Sequence, residues 1–335
     1  MKDVKGLSDY QIKIWKDVRF EQSFLGFSYD TGRIDKKTYN DMINRIYSSC
    51  NVYIPGSYYI DDILANIDFI SKMYEETLEL FNNYEYGNCY IESYSNRNIG
   101  NYLFEFFKYM KCHKLYEKLY SKDMVAFTDK IKSVEGLGYC AESGRLSYIA
   151  VKGIDNILTS FMALAHEMGH AYVNYVLARD PRYLCIASLK DEIFSILFEK
   201  IFLDFIFQNC NVSKTVIKKQ LVCCELSYID HIGECYGAVD AIKNSFGNCK
   251  YDDMTIAYTE NGKRNRVNTQ LNTHAIGNIL SAKLLSENES DHQYFVKHLN
   301  DIIKEIDQMS IEDVLHQYKD LGSLENRLDR ILIKK

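Results

Sequence analysis

Proline is nearly absent from the chain: Pro55 and Pro181 are the only two in 335 residues. Because proline breaks helices and marks turns, its scarcity favours long helices over a turn-rich β architecture. An excess of basic charge is also missing. Forty Lys and Arg against 46 Asp and Glu leave a net charge of -6, which gives no reason to expect nucleic acid as a partner. The most apolar run, IFLDFIF at 201–207, is short and is interrupted by Asp204, so no membrane span is expected. The ten cysteines contain no CxxC pair and no regular framework. The opening stretch MKDVKGLSDYQ lacks the apolar core of a signal peptide. Together these predict reduced thiols in a cytoplasmic protein.

What is present is a folded-protein composition, 47% hydrophobic and 26% charged, in a chain long enough to bury a large core. Apolar residues recur at three- and four-residue spacing over 8–26, 37–49, 57–82, 100–120, 158–178, 187–209, 212–246, 268–286 and 291–308, which predicts helices there. Ser310, with acidic Glu312 and Asp313 after it, and Ser323 before LENRLDRIL are expected caps. Between 133 and 153 glycines punctuate the chain, and RLSYIAV alternates like a short strand. The expected fold is therefore mostly α, with one small β-sheet beside the helix that follows it. Residues 1–130 are expected to form a helical region walling part of a cleft. Residues 131–335 are expected to carry the chemistry, the two making one continuous unit.

Residues 166–170 read HEMGH. On a helix, positions i and i+4 share a face about one turn apart, so His166 and His170 can present two imidazole nitrogens to one metal ion. Glu167 is offset by about 100° and lies beside that ion, where a general base for metal-activated water belongs. Gly169 leaves room for a neighbouring helix or for substrate. A metallopeptidase site also needs a third ligand, and the helical pattern at 188–202 supplies Glu192, with Glu199 on the same face two turns on. That pattern is apolar nearly all round, and buried carboxylates need a metal or a partner. Glu199 would orient a ligand histidine through its free ring N–H. One Zn2+ per chain is the expected cofactor. His292, His298 and His316 lie in charged helical contexts and are expected at the surface.

HEMGH, followed by Glu192-Ile-Phe-Ser195 and Glu199, resembles the signature of the thimet oligopeptidase and oligopeptidase F family of zinc metallopeptidases. The lead-in GYC at 138–140 with SYIAV, and THAIGNILSAKLL at 273–285, are similar to the family's flanking segments. The resemblance implies a zincin-type helical metallopeptidase, a hydrolase acting on short or unstructured peptides. It makes His166, His170 and Glu192 the zinc ligands, Glu167 the base and Glu199 the residue behind a ligand. The chain is shorter than usual for the family. It also has no tyrosine in VNTQLNTHAIG at 267–277, where the family places oxyanion-binding phenols. His274 stands there and is the candidate donor to the oxyanion, the other reading being a cap or core histidine; Tyr258 and His231 are weaker substitutes. The backbone of 146–151 is expected to pair with an extended peptide substrate. Two further readings stay open: a catalytically weak zinc-containing relative that binds peptide or protein without turnover, and a metal-free helical scaffold. No oligomeric state is implied.

Overall fold

The computed structural model describes residues 8–49, 99–129, 131–132, 137–153, 157–181, 183, 190–210 and 292–310, with single positions at 212, 217, 221, 277, 280, 281, 284, 285, 313 and 314. The expected helix at 57–82, nearly all of the one at 212–246, and Ser323, His231, Tyr258, His274 and His316 lie outside the described residues. Among the described residues, seven helices and three strands occur in the order α1 (Asp9–Asp30), α2 (Lys36–Ser49), α3 (Ile99–Tyr109), α4 (His113–Ser121), β1 (Val125–Thr128), β2 (Gly138–Ser143), β3 (Leu146–Lys152), α5 (Ile157–Leu177), α6 (Asp191–Asn209) and α7 (His292–Gln308). None of the described helices is long and apolar enough to cross a membrane.

Helix ends are set by local chemistry. Ser8 and Gln11 form a reciprocal capping box at the start of α1, satisfying two donors the helix would otherwise leave unpaired. The helix runs four residues past the expected end at 26. It stops where Gly32 adopts a positive φ of 73°, with Arg33 N–H donating to the Ser28 carbonyl and Gly32 N–H to that of Tyr29. This is a Schellman termination. The same pattern splits the single helix expected over 100–120. Lys111 takes φ 56°, Cys112 N–H donates to Phe107 and Lys111 N–H to Lys108, so α3 ends and α4 begins in a new direction. Asp123 ends α4 in the same way. Ser310 accepts from Asp313 N–H as expected of a cap.

The sheet order is β1-β3-β2, with β1 parallel and β2 antiparallel to β3. β2 and β3 are joined by Gly144-Arg145, in which only Gly144 has positive φ, the pattern of a two-residue hairpin that starts with glycine. The central place of β3 overturns the expected role of 146–151 as the strand that pairs with substrate. Both of its edges already carry neighbours, and the outer edge of β2 pairs with no strand among the described residues.

α1 packs on β2 and β3, α5 packs on the same two strands, and α6 lies along α5. Phe27 of α1 meets Tyr148 of β3 with ring centroids 5.0 Å apart. The core gathers Phe106 and Phe107 of α3, Ile149 of β3, Leu158 and Leu164 of α5, and Phe198 and Phe202 of α6. α6 is buried on nearly every side, as its all-round apolar sequence requires. One consequence corrects the expectation for His292. It is 3% exposed, and its Nε2 lies 3.4 Å from Oδ2 of buried Asp204 on α6. A carboxylate in so apolar a helix needs a partner, and the first residue of α7 supplies one. His298 is partly buried.

Candidate metal centre

α5 and α6 bring together the residues singled out by the sequence. His166, His170 and Glu192 offer Nε2, Nε2 and Oε2 at the corners of a triangle whose three edges are each 3.2 Å. A tetrahedral zinc with bonds of about 2.0–2.1 Å has ligand atoms separated by 1.63 bond lengths, roughly 3.3–3.4 Å. Two imidazoles and a carboxylate with these spacings therefore form three corners of such a tetrahedron and leave the fourth open. The donor set fits zinc on geometry and on chemistry.

Behind the triangle, Glu199 Oε1 lies 2.8 Å from His166 Nδ1. A carboxylate only accepts, so the imidazole donates from Nδ1, and Nε2 is the nitrogen that would bind a metal in exchange for any proton it carries. The sequence assigns Ser195 no role of its own. Its hydroxyl donates to Glu192 Oε2 at 2.7 Å, so it fixes the carboxylate that would ligate. The i,i+3 spacing of Glu192 and Ser195 was the available signal. Replacing Glu199 with Gln is expected to leave the fold intact and to weaken zinc affinity by about 10–100-fold, the usual cost of losing such a support. A competition titration against a chromogenic chelator reads this directly, and an unchanged affinity would remove Glu199 from the site.

Burial strengthens the electrostatics of this corner. His166, Glu167, Glu192 and Glu199 are all buried. Burial works against a charged His166, but Glu199 and Glu192 outweigh it and hold its pKa well above the ordinary imidazole value. His170 is raised in the same way, burial being overcome chiefly by Glu192. Burial raises the Glu167 pKa, with His166 and His170 pulling it back.

Two glycines let these elements close up. A Cβ at Gly138 of β2 would lie 2.9 Å from Glu167 Oε1, and one at Gly277 would lie 2.6 Å from the Glu192 Cβ and 2.7 Å from its carbonyl carbon. Gly138 thus allows the strand edge to meet the candidate base. Gly277 comes down onto the backbone and Cβ of the candidate ligand Glu192. Neither approach was foreseen, because a close contact between distant segments leaves no periodic mark in a sequence.

The fold is thus mostly helical, with a small mixed sheet laid against the helix that carries HEMGH. Among solved structures, the chain is similar to that of a protein assigned as an oligoendopeptidase F from Bacillus anthracis str. Ames. The TM-score is 0.52 at 12% identity, over 98% of this chain and 75% of that one. At so low an identity the likeness concerns the fold. No family model and no curated protein matches the chain.

Proposed function

We propose that the protein is a zinc-dependent metallopeptidase that hydrolyses peptide bonds in short or unstructured peptides. The observation that carries this reading is the 3.2 Å triangle of His166, His170 and Glu192 with a buried carboxylate, Glu167, on the adjoining position of the same helix. The three ligands would hold one zinc ion, which when bound acidifies water and polarises the scissile carbonyl.

This chain's own groups would do the rest. Glu167 would take the proton of the attacking water and hand it to the leaving amine. Its burial suits it to exchange protons within the site rather than with bulk solvent. Glu199 would keep the His166 proton on Nδ1 throughout. An extended peptide would pair with the outer edge of β2 in place of the β3 stretch, because Gly138 lies against Glu167 and brings that edge to the reacting bond. His274 remains the proposed donor to the oxyanion, a contribution of about 2.7–4 kcal/mol for a well-placed hydrogen bond. The first 130 residues would wall the far side of the cleft.

The test is a set of quenched peptides of graded length, incubated with purified protein before and after treatment with a zinc chelator. We expect about one equivalent of zinc per chain, cleavage that stops on chelation, and recovery when zinc is returned. Retained zinc with tight peptide binding and no cleavage would favour the non-catalytic relative, for which the missing tyrosines at 267–277 speak. Protein purified with less than a tenth of an equivalent of zinc, and unable to take it up, would defeat the metal reading altogether.

A further inference from the structure

A second concave site lies at the hairpin end of β2. It is a hollow of about 100 Å³, open to solvent, lined by Trp15, Lys16 and Arg19 of α1, Glu142 and Arg145 of the hairpin, and Asn174 of α5, among others. Clefts for whole small ligands run from roughly 300 to 1,000 Å³, so this smaller hollow fits a single group such as a carboxylate rather than an entire ligand. Three cations face one carboxylate here, on a chain whose net charge is -6. Glu142 is held by Arg19 Nε at 2.6 Å. Lys16 donates to the Pro181 carbonyl. The Arg145 guanidinium lies over the Tyr175 ring at 4.6 Å and is otherwise exposed. Burial pushes the Lys16 ammonium below its ordinary pKa, and Asp180 only partly offsets this. A further anion would be welcome.

The pocket is rigidly tied to the metal centre. Asn174 sits one helical turn beyond His170, about 6 Å along the axis. Its side-chain amide donates to the carbonyls of Gly144 and Leu146 and to the Ser147 hydroxyl. The hairpin is thereby pinned to the helix that carries the histidines. Gly138, Cys140 and Glu142 face the same side of β2, the side of α5. Gly138 meets Glu167 at one end and Glu142 lines the pocket at the other, four residues or about 13 Å apart.

We propose that this pocket is a subsite for a carboxylate of the bound peptide, about four residues from the bond to be cut. This rests on the peptidase reading for its orientation along β2. Either an acidic side chain or the C-terminal carboxylate would supply the group.

Trp15 is the only tryptophan in the chain, so its emission reports occupancy of the pocket. The zinc-loaded Glu167→Gln protein would be titrated with alanine-based peptides in which one glutamate is moved along the sequence. Each would be paired with its glutamine counterpart, and each made with a free and an amidated C-terminus. One glutamate position, or the free terminus at one length, is expected to bind about tenfold tighter than its neutral partner, the scale of a partly solvated charge-assisted hydrogen bond, and to shift Trp15 emission. Which arm shows the difference identifies the source of the carboxylate. Arg145→Ala, at an exposed hairpin tip, should bring the charged-to-neutral ratio to near one, while Lys118→Ala on the exposed face of α4 should leave the ratio as it is. Equal binding of charged and neutral peptides, a silent Trp15, or an Arg145→Ala protein that keeps the preference would each overturn the subsite. Cleavage of the same peptides by the unaltered protein is read separately. Hydrolysis without any charge preference sinks the subsite alone, whereas charge-selective binding with no hydrolysis sinks the peptidase reading and keeps the subsite.

Discussion

Glu167→Gln is expected to hold zinc as tightly as the unaltered protein and to lose hydrolysis by roughly 10²–10⁴-fold, the range for removal of a positioned general base. The substitution is nearly isosteric. It leaves the triangle of His166, His170 and Glu192 untouched, and the side chain still fits beneath Gly138, where no Cβ competes for space. What changes is basicity, since an amide cannot accept the proton of the attacking water. The loss should fall on kcat, with binding of peptide largely preserved. Metal analysis and steady-state kinetics on one quenched peptide check both halves. Hydrolysis at the original rate would remove Glu167 from the mechanism, and loss of zinc would show that its role is structural.

The second large effect comes from a residue with no functional group. A Cβ at Gly169 would lie 2.6 Å from the Ser195 Cα, 3.0 Å from the Phe194 carbonyl oxygen and 3.1 Å from the Ser195 nitrogen. Of the two possibilities left by the sequence, a neighbouring helix rather than a substrate occupies the space. All three contacts are backbone, so no side chain can swing away and α6 must shift. Alanine gains about 1 kcal/mol over glycine in a helix interior, whereas overpacking a tight contact costs typically about 1–3 kcal/mol. The overlap should win, and Gly169→Ala is expected to lower the melting temperature. It should also weaken zinc binding, because Glu192 rides one turn away on the displaced helix. Gly26 offers the matched control, being helical with nothing within 4 Å of an added Cβ. Gly26→Ala should therefore be neutral or stabilising. Thermal unfolding of both variants, with and without zinc, separates propensity from packing. A Gly169→Ala protein as stable as Gly26→Ala would mean that the two helices have slack.

The helices at the site were legible because their signals are periodic and local. HEMGH fixes a face, and the apolar run at 193–206 fixes a buried helix that must justify its carboxylates. Glu199 falls behind His166 for the same reason, seven residues from Glu192 on one face. The break between α3 and α4 was not legible, although their outer limits at 99 and 121 match the expected 100–120. It depends on Lys111 adopting a left-handed conformation that its residue type does not advertise. β1 is four residues long and joins β3 in parallel, so its partner lies outside any local window. The central position of β3 was missed for the same reason. Strand order is a property of the whole sheet, and the alternation in RLSYIAV says only that a strand exists. His292 was misjudged because its sequence neighbours are polar, while the group that matters to it, Asp204, is on another helix.

One helix joins the two halves of the functional picture. α5 is 21 residues long, about 31 Å end to end, and it bears the histidine pair near its middle and the Asn174 clasp one turn later. An unbroken rod of this kind does not stretch. The interval between the triangle of His166, His170 and Glu192 and the cationic hollow is settled when the chain folds, and a bound peptide would not adjust it. The protein would thus measure its peptides as a gauge does, accepting those whose charged group falls at the one fixed mark.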